Sequence, residues 1–222
     1  MAGIILVPLG MLVAFSAVTH VAFTTLFDNL GVSVGRIFAA FIISVILGWS
    51  CSVAFYNEKR SRWAFPIFDI LQSFPTYAAL PLAVAVWGPT NFTVIFFLVL
   101  AIIWPIFFSI TSSLKLIRRD WVEAVHLSRL SGWQYIKLYL APITVPGLVT
   151  GSIIGLGNGW EALVATEIIA ATKHGLGPFF VAFSTNAPVT FVGILTVLAI
   201  VFAINKLFWL PVHEWSHELL EE

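Results

Sequence analysis

His213, Glu214 and His217 form an H-E-x-x-H string close to the C-terminal end of the chain. On a helix the two histidines, four residues apart, share a face and could ligate zinc, with the glutamate placed as a general base for hydrolysis. The nearest downstream carboxylates that could complete such a site are Glu218, Glu221 and Glu222. The string falls outside the last apolar segment rather than in a shielded cavity, so a solvated end is the preferred reading and a membrane zinc protease the rival. No G-x-x-x-x-G-K-[ST] phosphate loop occurs in the sequence. If the chain serves an ATP-driven process, the ATPase is expected on a separate polypeptide.

The other candidates are charges, prolines and glycines inside apolar runs. An unpaired charge at membrane depth costs at least about 2.5 kcal/mol, so Asp69, Glu161 and Glu167 are each expected to face protein or a water-filled path. Glu161 and Glu167 are too far around a helix to act as a carboxylate pair. Pro75 and Pro81 interrupt an apolar run and leave carbonyls without intrahelical donors, which predicts either a packing kink or a hinge that lines a cavity. Gly147, Gly151, Gly155 and Gly159 recur every four residues on one helix face, where a neighbouring helix can approach closely. Ala40, Ser44, Gly48 and Ser52 make a similar face. Such faces either pack alone or also slide or line a route. The single cysteine, Cys51, lies in an apolar run and is read as a packing residue.

These residues need helices in lipid to position them. Of 222 residues, 59% are hydrophobic and 10% charged, against about 45–50% and about 25% in soluble domains. Mean hydropathy is +0.99, and the apolar residues gather into long charge-poor runs instead of stripes or alternating strands. A net charge of zero offers no basic field for nucleic acid. Crossing a hydrocarbon core of about 30 Å takes about 20 helical residues. Six segments qualify: residues 3–23, 37–56, 66–86, 92–114, 143–169 and 189–210. The chain is therefore expected to be an all-α membrane protein with six transmembrane helices, a single transmembrane domain over 1–222. The first segment reads as a retained helix rather than a cleaved signal, and the fifth is long enough to be tilted or broken.

Lys59, Arg60, Arg62, Lys115, Arg118, Arg119, Arg129, Lys137 and Lys206 fall on one side of these spans, and only Arg36 and Lys173 on the other. By the positive-inside rule the first side is cytoplasmic, with both termini on it, in a cell (inner) membrane. The connections on the far side, WGPTN and TKHGLGP, are short and rich in turn formers. The largest non-membrane feature is the cytoplasmic stretch 115–142. It carries two helix-start signals, Asp120 with Glu123 and Ser131 with Gln134. Two short helices joined by a turn would present Trp121, Val125, Leu127 and Leu130, then Trp133, Ile136 and Leu140. That hairpin suits either docking to a partner or lying on lipid headgroups.

The stretch resembles the EAA motif of ABC importer permeases, whose helices dock into an ATPase subunit. Glu123 and Ala124 match, and Pro142 follows at the motif's spacing. Arg129 stands where the family has glycine, with Gly132 three residues later, and Ala141 replaces a leucine. The resemblance extends over most of the chain and is closest in kind to the nitrate/sulfonate/taurine-type permeases. Arg36, Phe41 and Gly48 match in the second span, with Ala40 and Ser52 where glycines are usual. Pro75, Ala78, Pro81, Leu82 and Gly88 match in the third. Gly151, Trp160 and Glu167, followed by Gly175-Leu176-Gly177, match in and after the fifth.

What the resemblance implies is a type I ABC importer permease fold with a cytoplasmic coupling-helix hairpin. Trp121, Glu123, Ala124, Arg129, Gly132 and Trp133 would dock the ATP-binding subunit. Pro75, Pro81, the four glycines of the fifth span, Trp160 and Glu167 would line the pathway or pack its helices. A second permease copy or a related permease, an extracytoplasmic solute-binding protein and membrane lipid are the other implied partners. ATP and magnesium would be bound by the ATPase, and this chain would hold no cofactor or metal. The solute would be a small one, such as the anions nitrate, a sulfonate or bicarbonate. An ion-coupled secondary transporter is the further alternative; it would be expected to show inverted repeats, and the sequence has no convincing internal duplication.

Overall fold

The computed structural model describes residues 2–117, 125, 127–128, 130–209 and 211–212, and all the elements among them are helical. Trp121, Glu123, Ala124 and Arg129, with Asp120 before them, lie outside the described residues, as do His213, Glu214 and His217. Helix α1 (Ala2–Thr19) ends where His20 takes a left-handed φ of 56°. Helix α2 (Phe23–Phe55) follows, 33 residues long.

Sequence reading begins this second span at Ile37, but the helix starts fourteen positions earlier. Asp28, Asn29 and Arg36 lower the mean hydropathy of that stretch and hide its pattern. The buried residues Leu26, Leu30, Ser33, Ile37 and Ala40 recur at alternating spacings of four and three, the period of one helix face.

Helix α3 (Glu58–Gln72) opens on Asn57, whose side-chain oxygen accepts from the Lys59 N–H at 3.1 Å. Helix α4 is Thr76–Trp87. The expected continuous span over 66–86 is thus two helices. The break lies at Ser73, Phe74 and Pro75, where proline supplies no N–H and disfavours helical geometry in the residue before it. Pro81 does not interrupt anything: α4 continues through it, with the ring on an exposed face. Helix α5 is Asn91–Lys115.

Helix α6 (Gly132–Ile169) runs for 38 residues. It passes through a π-helical turn at Ile136–Leu140, just before Pro142, whose missing N–H forbids the regular bond to the Leu138 carbonyl. This corrects one expectation: the second helix of the hairpin is not a separate short element but runs on into the fifth span, which is continuous. Ser131 precedes α6 in extended geometry, but its side chain makes no capping bond. Short helix α7 (Leu176–Ala182) and helix α8 (Ala187–Ile204) complete the described elements, the last passing into a π-helical turn at Asn205–Trp209.

By length and composition α2, α5, α6 and α8 suffice to cross a membrane, and the α3–α4 pair makes a fifth if it is counted as one broken span. Helix α1, 18 residues and without a charged side chain, extends about 27 Å, close to a hydrocarbon core of about 30 Å.

The chain divides into two compact units, one of Met1–Ala40, Thr76–Leu98 and Trp160–Pro211, the other of Phe41–Pro75, Val99–Gly159 and Val212–Glu222. The first has a core of Phe15, Leu26, Leu30, Leu176, Phe179 and Val189, against which Trp160 packs. The second buries Ile102, Ile106 and Ile110 and gathers rings around Phe107, with Phe68 edge-on at 4.7 Å between centroids. Phe38, Leu82, Val86 and Leu198 of the first unit and Ile46 of the second are each more than half exposed, as side chains that meet lipid or another protein are.

Candidate functional site

In the first unit, α2 places Asn29, Ser33 and Arg36 on one face, at the i, i+4, i+7 spacing. Near the C-terminal end of α6 stands Glu167, fully buried. Arg36 Nη1 donates to Glu167 Oε1 at 2.6 Å, and Ser33 Oγ lies 2.8 and 3.0 Å from the two carboxylate oxygens. The backbone N–H of Gly177 donates to Oε2 at 2.9 Å. A buried charge is tolerated only when paired and hydrogen-bonded, and Glu167 meets both conditions.

The same residues hold the chain that follows α6. Arg36 Nη1 donates to the His174 carbonyl at 2.8 Å, and Arg36 Nε to Asn91 Oδ1 at 2.9 Å. Ser33 Oγ accepts from the Leu176 N–H at 2.8 Å, and Asn29 Oδ1 from the Gly175 N–H at 2.9 Å. Gly175 has φ of 131°, and a Cβ there would lie 2.6 Å from the Glu167 carboxylate. A Cβ on Gly177 would lie 2.5 Å from that of Glu167. The Gly-Leu-Gly string thus exists to let the chain close over a carboxylate. Both carboxylate oxygens are engaged by protein donors, so the arrangement acts as a clamp on the turn between α6 and α7. Asn29, Ser33 and Asn91 were missed by sequence reasoning. For Asn29 and Ser33 the signal was the polar spacing 29, 33, 36 within an otherwise apolar stretch of α2.

In the second unit the glycines of α6 lie on the backbone of α5. A Cβ on Gly151 would come within 2.6 Å of Ile106 Cα, and one on Gly155 within 2.9 Å of the Ile102 carbonyl. Gly147 meets Ser113 Oγ and the backbone of Ser109 and Ile110 in the same way. Gly159 is buried. The second small-residue face packs on α5 as well: a Cβ on Gly48 would be 3.0 Å from Ile106 Cγ2, and Ser52 Oγ donates to the Phe107 carbonyl at 3.0 Å. Trp49 Nε1 donates to Thr144 Oγ1 at 3.0 Å, tying α2 to α6. The glycine spacing is therefore spent on helix contact.

The two other acids within apolar runs, Asp69 and Glu161, differ from Glu167. Asp69 is exposed and accepts from Gln72 Nε2 at 3.2 Å, and Glu161 is exposed on α6. Of the docking candidates, Gly132 has a left-handed φ of 57°, marking the turn that starts α6, and Trp133 is 73% exposed. Leu127 is more exposed still, and the Tyr56 and Tyr135 hydroxyls are 2.9 Å apart, anchoring the start of α6 to the end of α2. No cluster of three metal-binding side chains occurs among the described residues.

Residues 40–208 match the family described as binding-protein-dependent transport system inner membrane component. The chain is 33% identical over 154 residues to the taurine transport system permease protein TauC of Escherichia coli, a match covering 69% of this chain and 56% of that protein. It is 30% identical over 138 residues to the nitrate import permease protein NrtB of Synechocystis, covering 62% and 50%. It is 26% identical over 148 residues to the bicarbonate transport system permease protein CmpB of Synechococcus elongatus, covering 66% and 53%. The matches span about half the length of these relatives. With a family match over three quarters of its length, the chain belongs to the inner-membrane components of binding-protein-dependent transport systems, the permeases of ABC importers.

Proposed function

We propose that this chain forms, with a second copy or a related permease, the membrane pathway of an ATP-driven importer for a small anion of the nitrate, sulfonate or bicarbonate kind. The observation that carries the mechanism is the continuity of α6. It starts at the Ser131–Gly132 turn, beside the expected ATPase-docking residues, and runs unbroken to Ile169. Within the second unit it runs from Trp133 to Gly159, about 39 Å. A helix transmits a displacement along its axis because every backbone bond resists stretching, so movement of a docked ATPase at Trp133 reaches the glycine face that packs on α5.

In this reading the basic side is cytoplasmic, as are both termini, and an external binding protein delivers the solute. Trp121, Glu123, Ala124, Arg129, Gly132 and Trp133 form the docking surface. Hydrolysis of ATP, with magnesium, occurs on the partner. Names of the relatives support the solute class, and the absence of a phosphate-binding loop in this sequence supports the division of labour.

The test is co-purification of the tagged chain in mild detergent from cells expressing its neighbouring reading frames, followed by an ATPase assay. Recovery of a P-loop ATPase that is lost with Glu123→Lys supports the proposal. Recovery of the folded chain alone, under every condition tried, would sink it.

A further inference from the structure

Helix α3 does not resemble the other helices. It holds three basic residues, Lys59, Arg60 and Arg62, against one acid, Glu58, within its first five positions. All three basic residues are exposed, and none forms an ion pair among the described residues. Arg60 Nη1 donates to the Ala54 carbonyl at 3.2 Å, which leaves its other donors for a ligand. Below this cationic end, Trp63, Ile67 and Ile70 form a stripe at helical spacing, 78%, 58% and 73% exposed. Beside the stripe Ala64 is buried and Phe68 half-buried, the Phe68 ring packing edge-on against Phe107.

A groove of about 510 Å³ runs along this stripe, with Phe55, Ala64, Ile67 and Phe68 as its apolar lining and Lys59 and Arg60 at its rim. A second depression of about 750 Å³, between Lys59, Arg62 and Trp63, adjoins the same cationic end. A surface of this kind is amphiphilic along the helix axis: cations at one end, a bare apolar track leading away from it. From Arg60 to Ile70 the track covers about 15 Å, half of a hydrocarbon core of about 30 Å, which is the depth of one leaflet.

We propose that α3 carries a binding site for one anionic phospholipid. Its phosphate and headgroup lie between Lys59, Arg60 and Arg62, with Trp63 at the headgroup boundary, and one acyl chain lies in the groove beside Ile67. Charge complementarity selects the anionic headgroup over a zwitterionic one, because each basic side chain near an anionic lipid surface is worth roughly a fivefold change in affinity. Tryptophan is suited to the boundary because its ring is apolar and its N–H is not. The site needs only that the chain sit in a bilayer and is independent of the transported solute.

Native mass spectrometry of the full chain tests it, with dioleoyl phosphatidylglycerol and dioleoyl phosphatidylcholine titrated separately from detergent. The expected result is retention of phosphatidylglycerol at roughly hundredfold lower concentration than phosphatidylcholine, about fivefold for each of the three cations. The triple variant Lys59→Gln/Arg60→Gln/Arg62→Gln should abolish the difference, whereas Lys137→Gln/Lys173→Gln should keep it. Ile67→Ser should weaken both lipids alike. If the triple variant fails to fold, Arg62→Gln alone should reduce the preference by roughly fivefold. Equal binding of the two lipids to the native chain, or a preference that survives removal of the cations, overturns the proposal.

Discussion

Glu167 and Arg36 stand 131 positions apart in the chain and meet at 2.6 Å, the carboxylate fully buried and the guanidinium nearly so. Removing one partner strands the other as an uncompensated buried charge. Glu167→Ala is therefore expected to destabilise the protein by about 3–5 kcal/mol, with Glu167→Gln milder because it keeps the shape and some of the bonds. Thermal unfolding in detergent measures both. A melting temperature for Glu167→Ala equal to that of the native chain would contradict the clamp.

Gly175→Ala tests the chain that closes over the carboxylate. The new methyl meets the Glu167 carboxyl group and must hold a φ of 131°, so the loss should exceed about 2 kcal/mol. Gly35→Ala, on α2 with open space around its Cβ, should be neutral or stabilising by up to about 1 kcal/mol. The ordering of the two melting temperatures is the readout, and the reverse order would refute the account.

Within α6 the same comparison separates packing from propensity. Gly151→Ala pushes a methyl to 2.6 Å from Ile106 Cα and should force α5 and α6 apart, at a cost of about 1–3 kcal/mol. Gly157→Ala has nothing within 4 Å and should gain helix propensity. Reconstituted ATP-dependent uptake should fall for the first and persist for the second if close α5–α6 contact is needed for transport.

Trp133 is largely exposed at the start of α6 and contributes little to the fold. Trp133→Ala should change stability by no more than about 0.5 kcal/mol while lowering recovery of the ATP-binding subunit in pull-downs. Unchanged recovery would remove this residue from the docking surface.

His213→Ala and treatment with a chelator should leave ATPase association and uptake as they were, since the importer reading gives the H-E-x-x-H string no part in either. A loss with both treatments would revive the zinc reading.

How far the fold was legible depended on whether its cause was local. The π-helical turn and the unbroken run of α6 were not, because Ser131 and Gln134 carry a helix-start pattern that says nothing of where the helix ends. The break at Pro75 was legible and the continuity of α4 through Pro81 was not: the two prolines look alike in sequence, but Pro81 lies on an exposed face where α4 continues past it. The first half of α2 was hidden because Asp28, Asn29 and Arg36 depress hydropathy, though Asn29 and Arg36 are bonded to side chains or backbone elsewhere in the fold.

By itself the sequence determined that this is a helical membrane chain and to which family it belongs. Apolar run length, basic-residue asymmetry and the order of short motifs are properties of the chain alone, and lipid leaves a helix-forming chain few alternatives. It also marked Glu167, the glycines of α6 and Gly175-Leu176-Gly177 as special. Only the tertiary structure decided what each was for, because the partner in every case is remote: Arg36 and Ser33 for the carboxylate, the α5 backbone for Gly147, Gly151 and Gly155, and the carboxylate itself for Gly175. A space that must stay empty and a charge that must be met are defined by what arrives from elsewhere in the chain, and no local pattern records the arrival.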